Sequence, residues 1–179
     1  MMTDRERLKA LEALERTRVD LLDAVSGVSE EDARWRPAAE RWSILEYVEH
    51  LAVSDDALMA LVRRALELPA APETAEERKQ REMGIRAAQS SGEVNRAPEA
   101  LRPVGRFASL AEAVAAFEAA RARTVEFART TEADLRSHFA MHGLLGKLDA
   151  YQWMSGNAHH AATHAANIRE VRALLAARS

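Results

Sequence analysis

The stretch Tyr151–Leu175, YQWMSGNAHHAATHAANIREVRALL, decides how the rest of the chain is read. At helical spacing His160 and His164 lie only about 40° apart, and Trp153, Asn157, Ile168, Val171 and Leu175 fall in the same sector. The spacing therefore predicts a helix with two imidazoles inside its apolar stripe. Buried imidazoles must hydrogen-bond or share an ion. An i, i+4 pair can offer two ring nitrogens to one metal; the same pair also fits core histidines satisfied by backbone or water. His159 points about 100° away from His160 and is expected at the rim. Two ligands hold a metal poorly, so a third imidazole is needed from a facing helix. His50, in the segment WSILEYVEHL, is the candidate.

Working outward, apolar residues recur at helical spacing in three further long segments. The first runs from Thr3 to about Ser26 (Leu8, Leu11, Leu14, Leu21, Leu22, Val25), with Gly27 placed for a left-handed C-cap; a short helical turn from Ser29 follows, closed by Pro37. The second begins near Ser43, with Glu46 completing a capping box and Pro69 as its stop. Its stripe is Ile44, Val48, Leu51, Leu58, Val62 and Leu66. His50 sits roughly 130° from the centre of that stripe, on a flank. Asp55 falls within the stripe although charged, which predicts either a buried hydrogen-bond acceptor or a group that supports the metal site from behind its ligands. Ser109 caps the third, with Glu112 closing a box and Leu110, Val114, Phe117, Thr124 and Phe127 on one face.

Between the second and third long helices, residues 68–108 form a long connection with prolines at 69, 72, 98 and 103. A helix capped by Thr74 and Glu77 lies within it, and Arg78, Lys79, Arg81 and Glu82 are expected to make a solvated face. A connection this long lets the second and third long helices run parallel, with a crossover between them. TEADLRSHFAMHGLLG reads as a helical turn and a loop, with the fourth helix starting around Lys147. His138 and His142 share the i, i+4 spacing, but Gly143 and Gly146 argue for a loop end there and not a ligand platform.

Composition excludes several classes. The 179 residues fit one domain, 1–179. A net charge of −3 with interspersed signs offers no large cationic face for nucleic acid or anionic lipid. The chain has no cysteine, so disulfides, thiolate ligands and a cysteine nucleophile are out, and imidazole and carboxylate remain as metal donors. No signal-peptide core or membrane-length apolar run is visible, so the expectation is a cytoplasmic protein.

WSILEYVEHL, then GKLDAYQW, then H-x-x-x-H-x-x-N-I, on four amphipathic helices with one long crossover, together resemble the DinB-like superfamily of metalloenzyme bundles. The resemblance covers nearly the whole chain. It implies an all-α four-helix bundle and a divalent metal bound by three histidines, which match His50, His160 and His164 here. Asn167 departs from the family pattern, standing where many members carry glutamine. Imidazole ligands accept several divalent ions, with zinc or nickel expected. The resemblance further implies a thiol S-transferase using bacillithiol, mycothiol or glutathione, the thiol being brought in as a cofactor, and a homodimer. Glu46, one turn before His50, is either a cap or a group that orients the site. A non-catalytic metal-binding or stress-related bundle, and a plain bundle with buried histidines, remain alternatives.

Overall fold

The computed structural model describes residues 1–90 and 97–178. Its helices are α1 (Asp4–Val25), α2 (Glu30–Arg34), α3 (Ile44–Glu67), α4 (Ala75–Ser90), α5 (Leu110–Thr130) and α6 (Ala150–Ala176), with a 3₁₀ turn at Glu99–Leu101 and a hairpin of β1 (Phe139–His142) and β2 (Gly146–Asp149). The four long helices, α1, α3, α5 and α6, make the bundle. Their direction follows from two core clusters. In one, the end of α1 (Leu21, Val25) meets the start of α3 (Ile44, Val48), the start of α5 (Leu110, Phe117) and the second half of α6 (Ile168, Val171). In the other, the start of α1 (Ala10, Leu14) meets the end of α3 (Met59, Val62), Ala128 of α5 and the start of α6 (Trp153, Met154). So α3 and α5 run parallel, as do α1 and α6, and the two pairs oppose each other. The crossover predicted from residues 68–108 is what allows α5 to start beside the start of α3; within it, residues 91–96 lie outside the described residues.

Local signals place the helix ends. Capping boxes close at Thr3/Glu6 and Ser43/Glu46. Thr74 and Glu77 exchange the same bonds before α4. At α5 the box is displaced: Ser109 Oγ accepts from Glu112 N–H, but the Glu112 carboxylate takes the N–H of Ala108. Gly27 has φ +71 just beyond α1, the left-handed conformation for which glycine is suited.

Four expectations change. The segment before the last helix forms a hairpin, pairing Phe139 with Asp149 and His142 with Gly146, and α6 starts at Ala150, not near Lys147. Asp149 is the N-cap, and its box partner is Gln152. Gly143 and Gly146 do mark a chain reversal, as their position implies, at the hairpin turn, where Gly146 has φ +74. Arg81 does not belong to a solvated face: its guanidinium is bonded to Glu73, Gln152 and Asp149, which docks α4 onto the start of α6. Leu8, read as part of the apolar stripe of α1, is 59% exposed, while Thr17 is buried there with its hydroxyl donating to the Ala13 carbonyl.

Asp55 is wholly buried, as its place in the stripe predicts. It accepts two bonds from Arg121 of α5, at 2.7 and 3.0 Å. The same guanidinium donates to the Leu14 carbonyl and Thr17 Oγ of α1 and to the Asn157 carbonyl of α6. One buried cation thus ties all four long helices together. Burial pushes the Asp55 carboxyl above its ordinary value, against the pull of Arg121.

Candidate metal centre

His50 reaches the interior from the second turn of α3, and His160 and His164 face it from successive turns of α6. His160 Nε2 stands 3.1 Å from His50 Nε2 and 3.1 Å from His164 Nε2. Ring nitrogens of all three lie within 4.8 Å of one another. The rings sit edge to face, with centroids 4.6 to 4.9 Å apart. Trp42 and Tyr47 wall the group: Trp42 is 4.9 Å from the His50 ring and Tyr47 5.4 Å from the His164 ring, centre to centre.

Protons alone do not satisfy this arrangement. His50 Nδ1–H donates to the Leu101 carbonyl at 2.8 Å, which leaves its Nε2 unprotonated in the neutral ring, with the Ser54 hydroxyl 3.5 Å away. His160 Nε2 faces two other ring nitrogens yet carries at most one hydrogen, and its buried Nδ1 has no partner among the described residues. Burial, reinforced by the neighbouring imidazoles, drives the His160 pKa down to about 2, and burial takes His164 to about 3. Burial lowers His50 as well, the bond to Leu101 opposing it. At neutral pH the rings are therefore uncharged, the form that binds metals. Ligand atoms at 2.0–2.1 Å in a tetrahedral zinc shell stand roughly 3.3 Å apart, close to the two 3.1 Å separations. The donor set fits a divalent ion of imidazole preference.

The helical stripe placed His160 and His164 correctly, but it underrated His50. That residue is only 3% exposed, because the crossover brings the 3₁₀ turn over the flank of α3 that lies outside the stripe. Glu46 stays with its capping role, accepting from the Ser43 N–H and pairing with Arg36. His159 is exposed, and Asn167 lies with its amide 3.3 Å from His164 Nδ1. His138 and His142 lie apart from the cluster. His138 Nδ1 bonds to the Leu68 carbonyl, and His142 Nδ1 accepts from the N–H groups of Leu144 and Leu145 in the hairpin turn. The Leu101 carbonyl was missed because nothing in a sequence marks which backbone oxygen a crossover will deliver.

Known proteins agree with this architecture. The chain is 24% identical to the uncharacterized protein YuaE of Bacillus subtilis (strain 168) over 156 residues, spanning 87% of this chain and 92% of that protein. Its fold is similar to that of YfiT from Bacillus subtilis, described as a probable metal-dependent hydrolase with an unusual four-helix bundle topology. The TM-score is 0.62 at 17% identity, covering 96% of this chain and 88% of YfiT. The family model of the DinB superfamily matches residues 13–168, so nearly the whole bundle, with His50, His160 and His164 inside it, belongs to the DinB superfamily.

Proposed function

We propose that the chain is a metal-dependent hydrolase whose divalent ion is held by His50, His160 and His164. The convergence of three uncharged imidazoles on one point carries this reading. Three neutral ligands leave the ion's full charge and at least one coordination position available, as in catalytic and not structural zinc sites. A bound ion would supply Lewis acidity and bring the pKa of an attached water to near 7. The protein's part is to hold the three donors deprotonated and in register: α6 fixes two of them one turn apart, and the Leu101 carbonyl fixes the ring of the third. Trp42 and Tyr47 present apolar surface beside the rings and limit access of bulk water to the site. The description of YfiT as a probable metal-dependent hydrolase supports water activation as the chemistry.

A thiol S-transferase is the second reading. With no cysteine in the chain, the nucleophile would be an incoming low-molecular-weight thiol, held as thiolate by the same ion. One series of assays separates these readings. Protein purified without chelator or polyhistidine tag is analysed for bound metal, then tested on ester, amide and phosphoester substrates alone and on an electrophile with bacillithiol, mycothiol or glutathione. Metal at one ion per chain with thiol-independent turnover that His160→Ala abolishes supports the hydrolase. Turnover only with a thiol supports the transferase. Bound metal with no turnover in either series supports the non-catalytic bundle, and metal at background defeats the metal reading.

A further inference from the structure

The bond from His50 to the Leu101 carbonyl has a support of its own, one residue away in sequence. Glu49 is 1% exposed, an unusual place for a carboxylate on a helix. Its Oε1 accepts from the Val104 N–H at 2.8 Å and from Arg106 Nη1 at 2.8 Å, and its Oε2 accepts from the Gly105 N–H at 3.1 Å. Gly105 has φ +79, a left-handed turn that aims two successive N–H groups at one carboxylate. The Arg106 guanidinium then spans back along the loop, with Nη1 on the Arg102 carbonyl at 2.9 Å and Nη2 on the Ala100 carbonyl at 3.2 Å. Those two carbonyls flank Leu101. With its neighbours held by Arg106, the Leu101 carbonyl is directed to His50 Nδ1.

We propose that Glu49 and Arg106 are positioning residues: they clamp residues 100–106 so that the Leu101 carbonyl fixes His50 as its Nδ1–H tautomer and leaves Nε2 free for a metal. The part of this that concerns metal rests on the three-histidine reading above; the part that concerns the tautomer does not. Hydrogen-bonded partners of ligating histidines are worth about 10–100-fold in metal affinity. The clamp is an indirect version of such a partner, in which a buried carboxylate acts through a loop and not on the ring itself.

The test uses full-length protein with Glu49→Ala, Arg106→Ala, Arg106→Lys and Gly105→Ala. Among the described residues a Cβ at position 105 meets no atom within 4 Å, so there Gly105→Ala disturbs only the backbone conformation. Ring ¹⁵N shifts of His50 are read in metal-free protein, and zinc affinity is read by chelator competition. In wild-type protein His50 Nδ1 carries the hydrogen. In the variants the tautomers mix and zinc binding weakens about 10–100-fold. Arg106→Lys keeps the charge but does not rescue, because an ammonium does not span two carbonyls as the guanidinium fork does. A purely structural role would lower the melting temperature and leave the tautomer alone. Folded variants with the wild-type tautomer and zinc affinity within about twofold of wild type overturn the proposal. Should Glu49→Ala not fold, Gly105→Ala and Arg106→Lys decide it. Wild-type protein that binds no zinc defeats the metal reading, while the ring shifts still decide the clamp.

Discussion

Replacing Arg121 by methionine keeps much of the aliphatic stem and removes the cation that joins four helices. The variant loses two bonds to Asp55 and one each to the Leu14 carbonyl, Thr17 Oγ and the Asn157 carbonyl. Both partners of the ion pair are fully buried, so the stranded carboxylate has no water to turn to. Breaking such a pair from one side costs about 3–5 kcal/mol, since an uncompensated charge is left in the interior. At about 2–4 °C per kcal/mol for a chain of this size, the melting temperature should fall by about 6–20 °C. The deficit should also depend on pH. In Arg121→Met burial of Asp55 is no longer opposed by the guanidinium, so its folded-state pKa rises further above the unfolded value than in wild type, and the folded form binds the extra proton over a wider pH range. Its stability then declines as pH rises above about 4, by up to about 1.4 kcal/mol per unit, until the raised folded pKa is passed. Urea denaturation of metal-free protein at several pH values measures this directly. Arg121→Met with Asp55→Leu should regain most of the loss, because neither charge remains. A single variant within about 1 kcal/mol of wild type, or a deficit that ignores pH, would refute the reasoning.

Acid should weaken the metal-free bundle through His160 and His164. The unfolded chain protonates them near 6.5 and the folded chain only at about 2 and about 3. Their contribution is therefore complete above pH 6.5 and drains away as pH falls, at about 1.4 kcal/mol per unit for each ring, and His160→Ala should flatten the slope in a pH series of melts. Stripping metal from loaded protein should lower the melting temperature, and zinc held at 100 times its dissociation constant should restore about 2.7 kcal/mol in a thermal-shift titration. His142→Ala should cost about 1–2 kcal/mol by removing the acceptor of two turn N–H groups, with zinc stoichiometry unchanged. His159→Ala, at an exposed position, should alter neither stability nor zinc affinity measurably.

Four amphipathic helices, most of their caps and the two imidazoles on one face of α6 were legible in the chain itself, because periodicity and capping chemistry are local. The same locality explains where that reading stopped. His50 looked marginal on its own helix; Trp42, the α6 imidazoles and the returning crossover together bury it, and the crossover hands it the Leu101 carbonyl. Arg81 looked solvated until α4 was laid against Asp149, while Phe139–Gly146 looked like loop and Lys147–Asp149 like the start of a helix because their pairing is made across the turn. Asp55 announced itself as a buried acceptor, but its partner stands 66 positions away on α5. A helix advertises its faces through the spacing of its own residues; what each face meets depends on chain segments that come together only when the bundle closes.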